Sequence, residues 1–185
     1  MRFVELGALV EAVDPDFGGV AEVFRRHWFS GAAYLLKDFS PRRKALMDPG
    51  LVEVASEGAK IGMLELQEAV QKRGAYGVRM NQFHEKYDLL LTPTLPLAAF
   101  DAGREVADVM KEKRWTDWTP FSYPFNLTQQ PAASIPCGLT TDGLPVGLQI
   151  VGPRYQDALV LRAARAFESL QPIPLADLSA LAPGG

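Results

Sequence analysis

The sequence predicts an α/β fold, a short mixed sheet flanked by helices. Three observations point to it. Long stretches repeat apolar residues every three or four positions, the period of a helix with one buried stripe. Asp88–Thr92 is instead apolar without alternation, as in a strand covered on both faces. Ala132–Gly138 and Leu144–Val151 are two further apolar runs, and Thr140-Thr141-Asp142-Gly143 between them reads as the turn of a hairpin. The expected strands lie near 8–13, 88–92, 132–138 and 144–151, and the expected helices near 16–37, 49–57, 63–86 and 157–170.

Taken in order, Arg2–Leu6 reads as the last turn of a helix with Gly7 as its stop. Ala8–Val13 reads as a short strand ended by Asp14-Pro15-Asp16. So short a helix is marginal alone, so the start is expected to belong to a longer element. Asp16 is the candidate N-cap of the next helix, whose stripe is Val20, Val23, Phe24, Trp28, Gly31, Ala32 and Leu35. His27 beside it reads as a packed side chain, with no partner motif around it. Asp48-Pro49 opens another helix, Asp as cap and Pro at the first helical position. The helix from Met63 has an inward ridge of Met63, Leu66, Val70, Arg73, Gly77, Met80, Phe83 and Tyr87. Arg73 is a permanent charge on that apolar face, so a carboxylate or backbone carbonyls are expected at its head; it is a structural clamp or a ligand for a substrate carboxylate. His84 sits where it can interact with the helix dipole. Asp88–Thr92 asks for neighbours on both edges, and Pro93 and Pro96 stop it. Ala102–Lys113 is a candidate short helix, and Trp115–Phe125 is a loop dense in aromatic residues and proline, suited to lining an apolar pocket. Asp157–Leu170 is the last helix, with Ala158, Leu161, Ala164 and Phe167 on one face.

With 185 residues, 48% hydrophobic and 22% charged, the chain is large enough for a real core and is read as one unit over 1–170 with a loosely ordered tail over 171–185. A net charge of -3, with Arg42-Arg43-Lys44 the one basic run, argues against nucleic acid as a partner. No apolar run approaches the roughly 18 to 20 residues that span a bilayer, and the start lacks a signal-peptide pattern. The lone Cys137 has no disulfide partner in the chain and no ligand-spaced Cys or His. A reducing cytoplasm is the expectation. No metal and no organic cofactor is expected, since neither an H-E-x-x-H nor a phosphate-binding glycine loop occurs. No serine lies in a G-x-S-x-G elbow. Ser134 reads as a strand position, and Cys137 lacks the base that would make a thiol reactive.

The run Phe125-Asn-Leu-Thr-Gln-Gln-Pro-Ala-Ala-Ser-Ile-Pro-Cys-Gly138, followed by Asp142-Gly-Leu-Pro-Val-Gly-Leu-Gln-Ile-Val-Gly152, resembles the C-terminal portion of the amidase signature family. Leu6–Phe17, Asp48–Leu51, Arg73 ahead of Phe83–Thr94, and Asp157-Ala158 agree with that family in the same order. The resemblance covers residues 1 to about 170. It implies an α/β unit with a large mixed sheet, a carboxamide substrate, and a Ser–cis-Ser–Lys catalytic set on a glycine- and serine-rich segment. Nothing in this chain matches that segment, so no catalytic residue carries over.

The resemblance implies a pocket wall made of Trp118, Thr119, Phe121, Phe125, Asn126 and Gln129. Arg73 and Asn126 match positions that the family commonly keeps. Gln129 departs from the family, which usually has Gly there; if that Gly serves a positive φ, the loop must adjust. The expected role is a C-terminal amidase portion, inactive alone. The alternative is a non-catalytic partner that self-associates or complements a separate N-terminal half.

Overall fold

The computed structural model describes residues 2–171; the expected tail from 172 onward lies outside them. Helix α1 (Arg2–Glu5) ends as expected, with Gly7 at φ 85°. The Gly7 N–H donates to the Val4 carbonyl and the Ala8 N–H to the Phe3 carbonyl, both at 2.9 Å, the paired bonds of a Schellman stop. Residues 8–13 correct the sequence reading. They belong to no ladder, and the side chain of Leu9 is 100% exposed. Their tether is a side chain, Glu11, whose carboxylate accepts from the Tyr87 hydroxyl at 2.7 Å and from Lys86 Nζ at 3.1 Å.

Asp16 does not cap α2 (Val20–Leu36). Its carboxylate accepts from the Gly18 N–H at 2.9 Å, and Gly19 at φ 76° turns the chain into the helix instead. The helix buries Val23, Phe24, Phe29, Ala32 and Leu36, while Trp28 and Leu35 of the expected stripe face outward. After α3 (Pro41–Lys44), α4 (Pro49–Gly58) opens as predicted, with the Asp48 carboxylate accepting the Leu51 N–H at 3.0 Å. Its Val54 and Ala55 meet Phe29, Ala32 and Leu36 in one cluster. The two helices cross so closely at Gly58 that a Cβ there would overlap the backbone carbonyl of Phe29.

Helix α5 spans Met63–Lys86, the expected span. Of the predicted ridge Met80 is buried and Leu66, Arg73, Gly77, Phe83 and Tyr87 are half-buried, but its N-terminal part differs. Ala69 and Tyr76 are buried in place of Val70 and Gly77, and Met63 is 83% exposed. The Tyr76 hydroxyl donates to the Gly18 carbonyl at 2.6 Å and its ring meets Phe17 edge-on, so this side turns toward α2.

Strand β1 (Leu90–Pro93) pairs with β3 (Pro145–Val151), which pairs with β2 (Ala132–Leu139), and both pairings are antiparallel. The β2–β3 hairpin forms as predicted. Among the described residues the order β1-β3-β2 leaves β1 a neighbour on one edge only. Alternating side chains give the sheet two faces. One carries Ile135 and Ile150 against Val160, Ala164 and Phe167 of α7 (Asp157–Leu170), again the expected helix. On the other, Leu90 and Val151 meet Met80 of α5 and Phe125. Residues 102–113 form turns in place of the candidate helix. The aromatic segment after them is more regular than expected: a 3-10 turn at Trp115–Trp118 and helix α6 (Tyr123–Thr128).

Candidate substrate-facing wall

Past the Leu90–Val151 row, the α5-side face of the sheet turns polar. The register aligns Thr92, Gln149 and Ser134 across three strands. Gln149 Nε2 donates to Thr92 Oγ1 at 2.9 Å and to the Phe121 carbonyl at 2.8 Å, tying the sheet to the aromatic segment. One step on, Thr94 Oγ1 and Ser134 Oγ share a hydrogen bond at 2.7 Å. They lie over Gly147, where a Cβ would come within 2.7 Å of Thr94 Oγ1. Glycine is required there by the close approach of those hydroxyls. These are neutral donors and acceptors, able to orient an amide by hydrogen bonds. They do not activate a nucleophile, because the partner of the Ser134 hydroxyl is another hydroxyl and not a base. Ser134 is also exposed, where the sequence suggests a packed position. Cys137 Sγ lies 3.5 Å from the Val146 carbonyl.

The aromatic segment is fixed at several points. Arg114 pairs with Glu53 and Glu57 of α4, and the Asp117 carboxylate accepts the backbone N–H groups of Lys113 and Arg114. Trp118 Nε1 donates to the Glu105 carbonyl at 2.9 Å, and its ring meets Phe100 edge-on at 5.5 Å. Thr119 Oγ1 lies 3.4 Å from the Thr116 carbonyl. Tyr123 stacks on Phe24 of α2 at 4.7 Å, which anchors the start of α6. Burial, with the Asp117 charge adding to it, pushes the Tyr123 hydroxyl pKa up, so it stays protonated.

Phe125, expected on the wall, is buried in the core with Met80, Leu90 and Val151. Phe125 also borders a hollow of about 360 Å³, lined further by Asn126, Gln129, Gln130, Pro131, Tyr155 and Asp157. Gln129 is the C-cap of α6 at φ 64°. A glutamine thus adopts the left-handed conformation for which glycine is the usual choice, at about 1–2 kcal/mol of steric cost. Its N–H donates to the Phe125 carbonyl at 2.8 Å and its Oε1 accepts from Arg154 Nη2 at 2.8 Å, which hold it there. Arg73 Nε donates to the Leu127 carbonyl at 2.8 Å, so α5 grips α6 through the backbone contact expected of a clamp.

The expected wall residues therefore fall into three places. Trp118, Thr119 and Phe121 lie along the aromatic segment, with Phe121 joined directly to the polar sheet face. Asn126 and Gln129 share the hollow, and Phe125 lies between that hollow and the core. Sequence reading misses Thr92, Thr94 and Gln149. A signal exists for Gln149, a lone amide in the apolar run Leu148–Val151, but its partner Phe121 lies 28 positions away. Neither histidine joins this wall. His84 Nδ1 lies 3.0 Å from the Tyr87 carbonyl at the end of α5, and burial pushes its pKa down. His27 Nδ1 lies 2.8 Å from the Val23 carbonyl within α2. Among the described residues no group of three or more His, Cys, Asp or Glu side chains could hold a metal ion.

The helix-flanked sheet is of the class found in amidase signature enzymes. It matches a bacterial aryl acylamidase of that family with a TM-score of 0.75 at 28% identity, over 92% of this chain and 38% of the other. It matches another amidase structure with a TM-score of 0.81 at 27% identity, over 91% of this chain and 39% of the other. A model of the Amidase family matches residues 25–161, and the chain belongs to that family. An acylamidase of Rhodococcus erythropolis is 35% identical over 178 residues, 92% of this chain and 37% of that relative. A glutamyl-tRNA(Gln) amidotransferase polypeptide of Brevibacillus brevis is 43% identical over 88 residues, 48% of this chain and 17% of its own length. The chain spans little more than a third of the acylamidase it matches. No helix among the described residues is long and apolar enough to cross a membrane.

Proposed function

We propose that this chain supplies the substrate-facing wall and core strands of an amide hydrolase that cleaves carboxamide C–N bonds, and that the 185-residue chain alone does not catalyse. The observation carrying this reading is the polar sheet face. Thr92, Thr94, Ser134 and Gln149 offer a surface that can hold an amide, while the partner of Ser134 Oγ is a hydroxyl that cannot take its proton. Amidase membership gives that surface its substrate class. A nucleophile and proton relay would come from the part of the fold that this chain does not match. Trp118, Thr119 and Phe121 then tune substrate choice, with Arg73 as the clamp that positions α6 and Asn126 and Gln129 bordering the neighbouring hollow. A small-molecule amide, no nucleic acid and a cytoplasmic setting complete the reading.

The test is release of p-nitroaniline from p-nitroacetanilide. The chain alone is expected to stay at background. Turnover by the chain alone that disappears on Ser134→Ala overturns the proposal.

A second reading, that the chain is a non-catalytic assembly partner, is favoured by its exposed apolar side chains, Leu9, Leu35, Leu46, Leu64 and Met110 among them. Light scattering tests it: a clean monomer at tens of micromolar counts against self-association.

A further inference from the structure

We infer that the hollow between the end of α6, the start of β2 and the loop before α7 is a binding site for an uncharged aromatic amide, which it holds without cutting. This site lies apart from the polar sheet face. Gln130 and Pro131 precede the Ala132–Val151 pair and Tyr155 and Asp157 follow it, so the hollow sits beside that end of the sheet. Ser134 pairs with Gln149, and Thr94 follows the Pro93–Leu148 pair, both farther along the strands. At about 360 Å³ the hollow falls within the range of small-molecule sites, roughly 300–1,000 Å³.

Its polarity selects the ligand. Phe125 and Gln130 are 5% and 7% exposed and form its buried part, while Asn126, Gln129, Tyr155 and Asp157 stand exposed around them. Gln130 Oε1 accepts from the Thr128 hydroxyl, and Nε2 is buried with no partner among the described residues. An orphaned buried donor is costly, and an acceptor atom on a ligand removes that cost. The rim offers the opposite chemistry, the carboxylate of Asp157, an acceptor only. A donor inside and an acceptor outside match the two ends of an amide group, carbonyl oxygen inward and N–H outward. A carboxylate in the same place meets Asp157 as a like charge. An ammonium group brings a second donor to Gln130 Nε2 and leaves it orphaned. Phe125, Pro131 and Tyr155 supply the apolar surface for a ring.

The backbone around the hollow is held in a costly conformation. Among the described residues Gln129 at φ 64° and Tyr155 at φ 66° are the two non-glycine residues in left-handed backbone, and both border this hollow. Strain of this kind collects at ligand clamps. Tyr155 is 85% exposed, so packing of its own ring does not offset the strain. Arg154 holds the two together. Its Nη2 donates to Gln129 Oε1 at 2.8 Å and lies 3.4 Å from the Tyr155 hydroxyl, and its guanidinium is 5.4 Å from the centre of the Tyr155 ring. A rim fixed in advance loses less freedom when a ligand arrives.

The experiment titrates the 15N-labelled 185-residue chain with benzamide, benzoate and benzylammonium, three probes of one shape and different charge. The expected result is a saturable shift of the Gln130 side-chain NH2 signals and of the Gln129 and Tyr155 amides by benzamide, with benzoate and benzylammonium about tenfold or more weaker. Gln130→Met removes the orphaned donor and Tyr155→Gly the exposed ring with its strained backbone. Each should weaken benzamide about tenfold while the melting temperature holds or rises, because each also removes a cost to the folded chain. That pairing separates a ligand site from a structural one, where both variants would melt earlier. Should Gln130→Met fail to fold, Tyr155→Gly decides alone. Four results overturn the site: no saturable shift, shifts confined to Thr92, Ser134 and Gln149, benzoate binding as tightly as benzamide, or a folded Tyr155→Gly with unchanged affinity. None of these is read through turnover, so the hydrolase reading stands or falls separately.

Discussion

The helical layer and the sheet are finished to different degrees. In the layer, α2, α4 and α5 bury one another: Gly58 lets α4 touch the α2 backbone, and Tyr76 ties α5 to the turn before α2. In the sheet, α7 covers one face, while the other is apolar only where Met80 and Phe125 reach it and polar beyond. Among the described residues no strand lies beside its β1 edge. The layer is closed at these joints, while Leu35 of α2 and Met63 and Leu64 of α5 stay exposed. The sheet keeps a polar face and that β1 edge.

The difference can be broken at the joint. Met80 is 0% exposed and reaches from α5 into the sheet cluster. Met80→Ala should cost about 3–4 kcal/mol, measured by urea unfolding, and loosen sheet amides more than those of α4. Gly58→Ala tests the closed side. Alanine in an exposed helix interior gains about 1 kcal/mol over glycine. Here the Cβ meets the Phe29 carbonyl, and a loss of about 2–3 kcal/mol is expected. A gain in stability would show that α2 and α4 can part without cost. Arg73→Met removes the grip on the Leu127 carbonyl, with an expected loss of about 1–2 kcal/mol and faster exchange in α6 than in α2.

Gln129→Gly relieves the left-handed strain but gives up the Arg154 bond and adds unfolded-state freedom. The net change should lie within about 1 kcal/mol; a large loss would mean that the Gln129–Arg154 contact holds the hollow together. The smallest effect is in pH. Burial lowers the His84 pKa in the folded chain, so the folded state binds its proton later than the unfolded state as pH falls. His84 contributes no penalty above its ordinary value near 6.5, and stability falls as pH drops from there through the lowered folded pKa. The neutral ring donates Nδ1–H to the Tyr87 carbonyl, and protonation adds an N–H at the buried, unpartnered Nε2. His84→Gln should flatten the drop in melting temperature between pH 7 and pH 5. A steeper drop in the variant would reverse the sign.

Short-range chemistry is what the sequence makes legible. The Gly7 stop, the Asp48-Pro49 opening, the limits of α5 and α7 and the β2–β3 hairpin each follow from a cap, a turn or a period. Residues 8–13 mislead because a short, mostly apolar run suits a strand's side chains and says nothing about a partner. The α5 ridge holds at Met80 but misses Ala69, because Val70 outranks it in hydrophobicity while the burial of Ala69 and Tyr76 is set by α2 lying alongside. Of the wall, Phe121 is visible from composition. Its tie to Gln149 depends on a contact across the fold, and nothing local marks that Phe125 packs in the core as well as bordering the hollow.

Gln149 also makes the hairpin a ruler for the aromatic segment. The ladder is regular from the Ala132–Val151 pair through the Ser134–Gln149 pair, and its irregularity falls between Pro136 and Gly138, nearer the turn. Length changes at the hairpin tip can be absorbed there without moving the amide that holds the Phe121 carbonyl. A slip of one residue at Gln149 itself would carry that amide to the α7 side. Tip and wall are therefore mechanically separate: the turn is free to vary in length, and strand register sets where the sheet holds the Phe121 carbonyl.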